Sequence, residues 1–127
     1  MIFGIGTDIV SYSRIRELNE KYGERFAQRI LSASELAEFE ASGDKARYLM
    51  KHFAAKEAFA KAMGTGLRAS VTLRRISIDH DELGKPLLAF DDVLSSYVAR
   101  LGVTRHHVSI SDERDVAVAF VVLEGGN

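Results

Sequence analysis

The 127-residue sequence has no cysteine, no tryptophan and a single proline. Without cysteine there is no disulfide framework and no thiolate metal site, and the redox compartment stays open. Neither sign of charge dominates: 17 Lys and Arg stand against 18 Asp and Glu, a formal net charge of -1. That balance gives no sign of nucleic acid or of an anionic membrane as a partner. No apolar run approaches the roughly 20 residues that span a bilayer. The apolar start, Met1 to Val10, carries Asp8 and lacks the basic residues that open a signal peptide. A soluble cytoplasmic protein is the expectation.

What is present is ordinary for a globular protein: 46% hydrophobic and 28% charged residues. The length suits one domain, residues 1–127, with a modest core. No linker, repeat or low-complexity segment divides it. Ile2 to Val10 alternates as a strand, with Gly4, Gly6 and Asp8 on one face. Two glycines before an acid leave that face bare. Either a ligand or another backbone approaches there, or the strand twists or bulges.

Ser13 to Tyr22 and Glu24 to Ile30 read as short helices. Ser32 to Glu35 has the form of a capping box, opening a third helix to about Ala41. Residues 44 to 63 read as one long helix, capped by Asp44 and stopped by Gly64. Arg74 to His80 and Lys85 to Phe90 read as strands around a turn at Asp81 to Gly84, with Pro86 at an edge. A helix follows from Asp91 or Asp92 to Leu101. His107 to Ser111 and Val116 to Leu123 form a hairpin around a polar turn, Asp112 to Asp115. The order is β-α-α-α-α-β-β-α-β-β, an α+β protein with helices packed on a mostly antiparallel sheet. The last strand is apolar on both faces, so it is central or covered by a second subunit. A chain of this size has difficulty covering both faces itself, which points to a homo-oligomer.

The long helix carries the informative chemistry. At about 100° per residue, Ala46, Leu49, Met50, Phe53, Ala54 and Ala60 form an apolar arc. Glu57 and Lys61 fall inside that arc, where charge is costly unless something pairs with it. Either they pair with each other at i,i+4, or they face a metal and an anionic substrate. Asp8 and Glu57, if they meet, make a carboxylate pair suited to Mg²⁺ with its waters and substrate phosphates. Arg47, Lys51, His52 and Lys56 lie on the same helix, and Lys61 stands one turn before Gly64-Thr65-Gly66. Such a set either holds phosphates or forms a solvated face. His106 and His107 alternate to opposite faces and make poor joint ligands; His107 is a hydrogen-bonding or packing residue. Arg14, Arg16, Lys21, Arg25 and Arg29 give the first helices a basic bias. That bias suits an acidic helical partner, or is simply a mixed surface.

Gly4-Ile5-Gly6-Thr7-Asp8-Ile9-Val10, then Phe53-Ala54-Ala55-Lys56-Glu57-Ala58-Phe59-Ala60-Lys61-Ala62-Met63-Gly64-Thr65-Gly66, resemble the holo-acyl-carrier-protein synthases, small 4′-phosphopantetheinyl transferases. Asp81 to Pro86 and His107 to Arg114 extend the resemblance over nearly the whole length. It implies transfer of the phosphopantetheine arm of coenzyme A to a serine of apo acyl carrier protein, releasing 3′,5′-ADP, within fatty-acid synthesis. Asp8 and Glu57 would bind Mg²⁺, and Lys61 would contact the coenzyme A phosphates. Asp8, Glu57 or a metal-bound water would take the serine proton. Arg47, His52, Gly64, Gly84, Lys85, Pro86 and His107 would serve coenzyme A. Arg14, Lys21 and Arg25 would meet the acidic helix of the carrier protein. A homotrimer with active sites between subunits is implied, as is the α+β phosphopantetheinyl transferase fold. Asp112 stands where many relatives carry His, and Val10 where larger relatives carry a second acid. A coenzyme A-binding module without turnover and a plain oligomerisation domain are the rival readings.

Overall fold

A computed structural model describes residues 1–126. Strand β1 (Ile2–Ser11) leads into α1 (Tyr12–Tyr22), α2 (Glu24–Ile30), α3 (Ala33–Ala41) and the long α4 (Lys45–Met63). A short 3₁₀ turn (Leu73–Arg75) precedes β2 (Ile76–His80) and β3 (Pro86–Phe90). Helix α5 (Asp92–Arg100), β4 (Val103–Asp112) and β5 (Val116–Gly125) complete the chain. This is the expected order of elements. The strands, however, divide into two antiparallel sheets, β1-β5-β4 and β2-β3.

Helix α4 is the hub. Asp44 caps it by accepting from the Arg47 amide, and Gly64 ends it in the left-handed conformation at φ 80°. Leu49, Met50, Ala54, Ala55, Ala58, Phe59 and Ala60 are wholly enclosed. The apolar arc seen in the sequence is therefore only part of a helix buried nearly all round. Its small residues let it lie close on β1 and β5. There the inner face of β5 is Ala117, Ala119, Val121 and Leu123, all enclosed.

Gly4 and Gly6 answer to the same packing. A Cβ on Gly6 would overlap the carbonyl oxygen of Ala58, and one on Gly4 that of Ala62. The bare face of β1 is thus the seat of the α4 backbone. Among the two approaches open in the sequence, ligand or backbone, the backbone occupies it.

β5 is the middle strand of its sheet, the first of the two readings its doubly apolar pattern left open. Only one face is covered within the chain. On the other, Phe3, Ile5 and Ile9 of β1 stand exposed beside Val118 and Phe120 of β5. Strand β4 begins four residues earlier than expected, at Val103. Thr104, Arg105 and His106 broke the apolar pattern because they sit on an exposed stretch that pairs with β5.

Candidate active site

The end of β1 and the middle of α4 bring together residues 49 positions apart. Asp8 and Glu57 line one groove of about 620 Å³, walled also by Arg14 of α1 and by Phe26 and Arg29 of α2. Lys61, one turn beyond Glu57, reaches back over β1. Its Nζ donates to the Thr7 carbonyl at 3.0 Å and to Asp8 Oδ1 at 3.0 Å. Lys61 is therefore paired with Asp8, and Glu57 has no ion pair with Lys61 among the described residues. Lys61 is 53% exposed and Asp8 16%, so the pair borders solvent rather than core.

The electrostatics favour an added cation. Burial, and then the charge of Asp8, push the Glu57 carboxyl above its ordinary range; Lys61 only partly opposes this. Two carboxylates share the groove, and one ammonium, that of Lys61, is bonded to Asp8. Two acids with few other protein ligands suit Mg²⁺, which keeps several waters and binds substrate phosphates. No group of three or more His, Asp or Glu side chains with metal-holding geometry occurs among the described residues. The donor set thus fits Mg²⁺ carried on Asp8 and Glu57 and completed by solvent and substrate. It does not fit an all-protein cage.

A second, smaller groove of about 260 Å³ opens further along α4, lined by Arg47, Lys51, His52 and His80. Arg47 is already engaged there. Its guanidinium donates to Asp112 Oδ2 at 2.8 Å, to the Glu113 carbonyl at 3.0 Å and to the Arg114 carbonyl at 2.9 Å. The polar turn between β4 and β5 is thus gripped by α4. His52 is buried and stacks on the Tyr48 ring at 3.9 Å, with Nδ1 donating to the Tyr48 carbonyl. Burial pushes its pKa down despite Glu35 nearby, and Nε2 has no hydrogen-bond partner among the described residues. The 3.7 Å approach of Nε2 to Glu35 is too long for a hydrogen bond.

Gly84, at φ 87°, and Lys85 form the β2–β3 turn, closed by the Asp81 side chain accepting from the Leu83 and Lys85 amides at 2.9 Å each. Pro86 pairs with His80, which places this turn beside the Arg47 groove. His107 bonds Glu124 at 2.6 Å, while His106 packs edge-on against Phe90, in keeping with opposite faces. Gly64 lies at the far end of α4. Arg25 lines a third groove of about 490 Å³ between α1 and α2, with Leu18, Tyr22 and Phe26; Lys21 sits over the Tyr22 ring. Arg14 faces the Asp8 groove next to it.

Lys56 departs from the sequence reading. It is 0% exposed and cannot face a phosphate. Its partner is Glu35, which the sequence marked only as half of a capping box. Of the other walls of the main groove, Arg29 entered the sequence reading only as part of the basic bias of the first helices, and Phe26 carried no local signal that separates it from a helix packing residue.

Residues 4–121 match the 4′-phosphopantetheinyl transferase superfamily. The chain is 56% identical over 124 residues to the holo-[acyl-carrier-protein] synthase of Nitrosospira multiformis, covering 98% of this chain and 99% of that one. The chain belongs to the holo-[acyl-carrier-protein] synthases of that superfamily. Family membership makes it an enzyme. The crystal structure of the synthase from Neisseria meningitidis superposes with a TM-score of 0.95 at 54% identity, covering 98% of this chain and 99% of that one. The Bacillus anthracis synthase in complex with CoA (3′,5′-ADP) is similar at a TM-score of 0.82 and 34% identity, covering 99% of each chain. The synthase fold found in these structures is the α+β arrangement expected from the sequence. No described helix is long and apolar enough to cross a membrane.

Proposed function

We propose that the protein moves the 4′-phosphopantetheine group of coenzyme A onto a serine hydroxyl of apo acyl carrier protein. Adenosine 3′,5′-bisphosphate leaves, and the reaction requires Mg²⁺. It serves fatty-acid biosynthesis in the cytoplasm. The observation that carries this reading is the meeting of Asp8 and Glu57 at one groove, with Lys61 bonded to Asp8, beside a basic surface on α1 and α2. The coenzyme A bound by the Bacillus anthracis relative supports the choice of donor.

Phosphoryl transfer asks for in-line positioning and charge neutralisation more than for covalent help from the protein. When bound between Asp8 and Glu57, Mg²⁺ would supply Lewis-acid charge at the pyrophosphate. Lys61 brings a second positive charge to the same place and steadies the leaving phosphate. Arg47, His52, Gly64, the Gly84-Lys85-Pro86 turn and His107 are proposed for the nucleotide end. Arg14, Lys21 and Arg25 are proposed to receive the acidic helix of the carrier protein, at the mouth of the groove where its serine must enter.

The apolar outer face of the β1-β5-β4 sheet supports a homotrimer with active sites between subunits. Leaving Ile5 and Ile9 61% and 67% exposed beside Phe120 is costly for an isolated chain. Incubating the protein with Mg²⁺, coenzyme A and apo carrier protein, then weighing the carrier by intact-mass spectrometry, tests the reading. A gain of one phosphopantetheine is expected. No gain, with a known synthase active on the same carrier, overturns it.

A further inference from the structure

Lys56 and Glu35 form an ion pair that is 0% and 2% exposed. Lys56 immediately precedes Glu57, yet its ammonium points away from the groove and into the body of the fold. Nζ donates to Glu35 Oε1 and, at 2.7 Å, to the Ile30 carbonyl. Glu35 accepts in turn from the Ser32 amide at 3.0 Å and, through Oε2, from the Ile78 amide at 2.8 Å. One ammonium and one carboxylate therefore join four elements: α4, the last turn of α2, the first turn of α3, and β2.

The bonds satisfy groups that helix ends leave open. Ile30 O lies in the final turn of α2 and Ser32 N at the cap of α3, where intrahelical partners run out. A buried pair of this kind adds little net stability, since apolar residues of equal volume often serve as well. What it does fix is position. Helix α2 has seven residues, too few to hold its own shape in water. It nevertheless supplies Phe26, Arg29 and Ile30 to the groove opposite Glu57. The Lys56 ammonium holds the Ile30 carbonyl, and the next residue on its helix is Glu57.

We propose that Lys56 and Glu35 are positioning residues for the transfer: they seat α2 against α4 and so set the groove between Arg29 and Glu57. The inference rests on the transferase reading. Misplacement of reacting groups by about 1 Å can cost up to ~10²-fold in rate. Lys56 itself bonds only Glu35 and the Ile30 carbonyl, whereas Glu35 alone reaches the coenzyme A side, through the Ile78 amide and its approach to His52. Loss of the Lys56 ammonium, with Glu35 still bonded to the Ile78 amide, therefore lowers kcat while leaving KM for coenzyme A nearly unchanged.

The absence of cysteine allows a clean test. Lys56→Cys protein is unfolded, alkylated only at that thiol with 2-bromoethylamine, and refolded, which restores an ammonium at the original reach. A second batch receives a propyl group of similar volume and no charge. Wild-type protein carried through the same steps reports on the transferase reading itself: inactivity there sinks that reading, not this one. With wild type active, the aminoethyl protein is expected to recover kcat to within about twofold. The propyl protein is expected to fold, to keep KM for coenzyme A within about twofold, and to turn over about tenfold or more slowly. Equal kcat in the two alkylated proteins overturns the proposal, as does a folded but slow aminoethyl protein. Should the propyl protein fail to fold, Glu35→Gln gives the same reading. Lowered kcat at unchanged KM supports the proposal, and unchanged kcat overturns it.

Discussion

Asp8 and Glu57 repel each other across the groove, and Lys61 relieves only part of that repulsion. Removing Lys61 should therefore weaken phosphate handling without loosening the core, because the side chain is half exposed. Lys61→Met is expected to lower kcat by about 10²-fold with little change in melting temperature, measured by carrier modification and by thermal unfolding. His52 makes a different, testable statement about pH. Its folded pKa lies below the ordinary 6.5 because burial disfavours the charged ring. The unfolded chain then binds more protons between the folded value and 6.5, so stability is fully present above 6.5 and is lost as pH falls through the folded value. Urea titrations at a series of pH values should show that slope in wild type and a shallower one in His52→Gln. An identical slope in both would exclude His52 as its source. At this scale the sequence exposed Asp8, Glu57 and Lys61 through charge set into an apolar arc. It hid Lys56 and Glu35, because a buried charge and a solvated one look alike until the partner, 21 residues away, is folded against it.

The elements explain why the site residues meet at all. Glycines at positions 4 and 6 let α4 lie directly on β1, and that contact carries Glu57 to Asp8. Gly6→Ala places a methyl group against the Ala58 carbonyl, which neither backbone can yield without separating strand from helix. A loss of about 3 kcal/mol in urea unfolding is expected, the upper part of the range for overpacked cores. Arg47 performs a comparable service at the other end of α4. Its three bonds hold the β4–β5 turn, so Arg47→Ala should speed amide exchange at Glu113 through Val116 while core amides of α4 stay protected. Uniform protection across both proteins would show that the turn needs no such grip. Helix boundaries were legible from caps: Asp44, Gly64 and the Ser32–Glu35 pair stand where the structure uses them. The division into two sheets was not, because strand pairing between distant segments leaves no mark on local periodicity. The polar start of β4 was lost for a related reason, since an exposed stretch carries no alternation to read.

For the whole molecule, the unburied face of the β1-β5-β4 sheet adjoins the Asp8 groove at Ile9. A trimer formed over Ile5, Ile9, Val118 and Phe120 would cover apolar surface and close the groove with a neighbour's residues. Phe120→Glu is expected to yield monomers by light scattering and to abolish carrier modification. Trimers that persist in that variant would place the interface elsewhere. The doubly apolar β5 announced this surface in the sequence, yet symmetry and stoichiometry are properties of an assembly that one chain's pattern does not encode. The proposed transfer depends on Asp8 and Glu57 holding a divalent ion against the coenzyme A pyrophosphate. Titrating the protein with Mn²⁺ in the presence of coenzyme A, followed by electron paramagnetic resonance, measures this directly. One coenzyme A-dependent ion per protomer is predicted in wild type, lost in folded Asp8→Asn and Glu57→Gln variants; undiminished Mn²⁺ binding in both variants would contradict it.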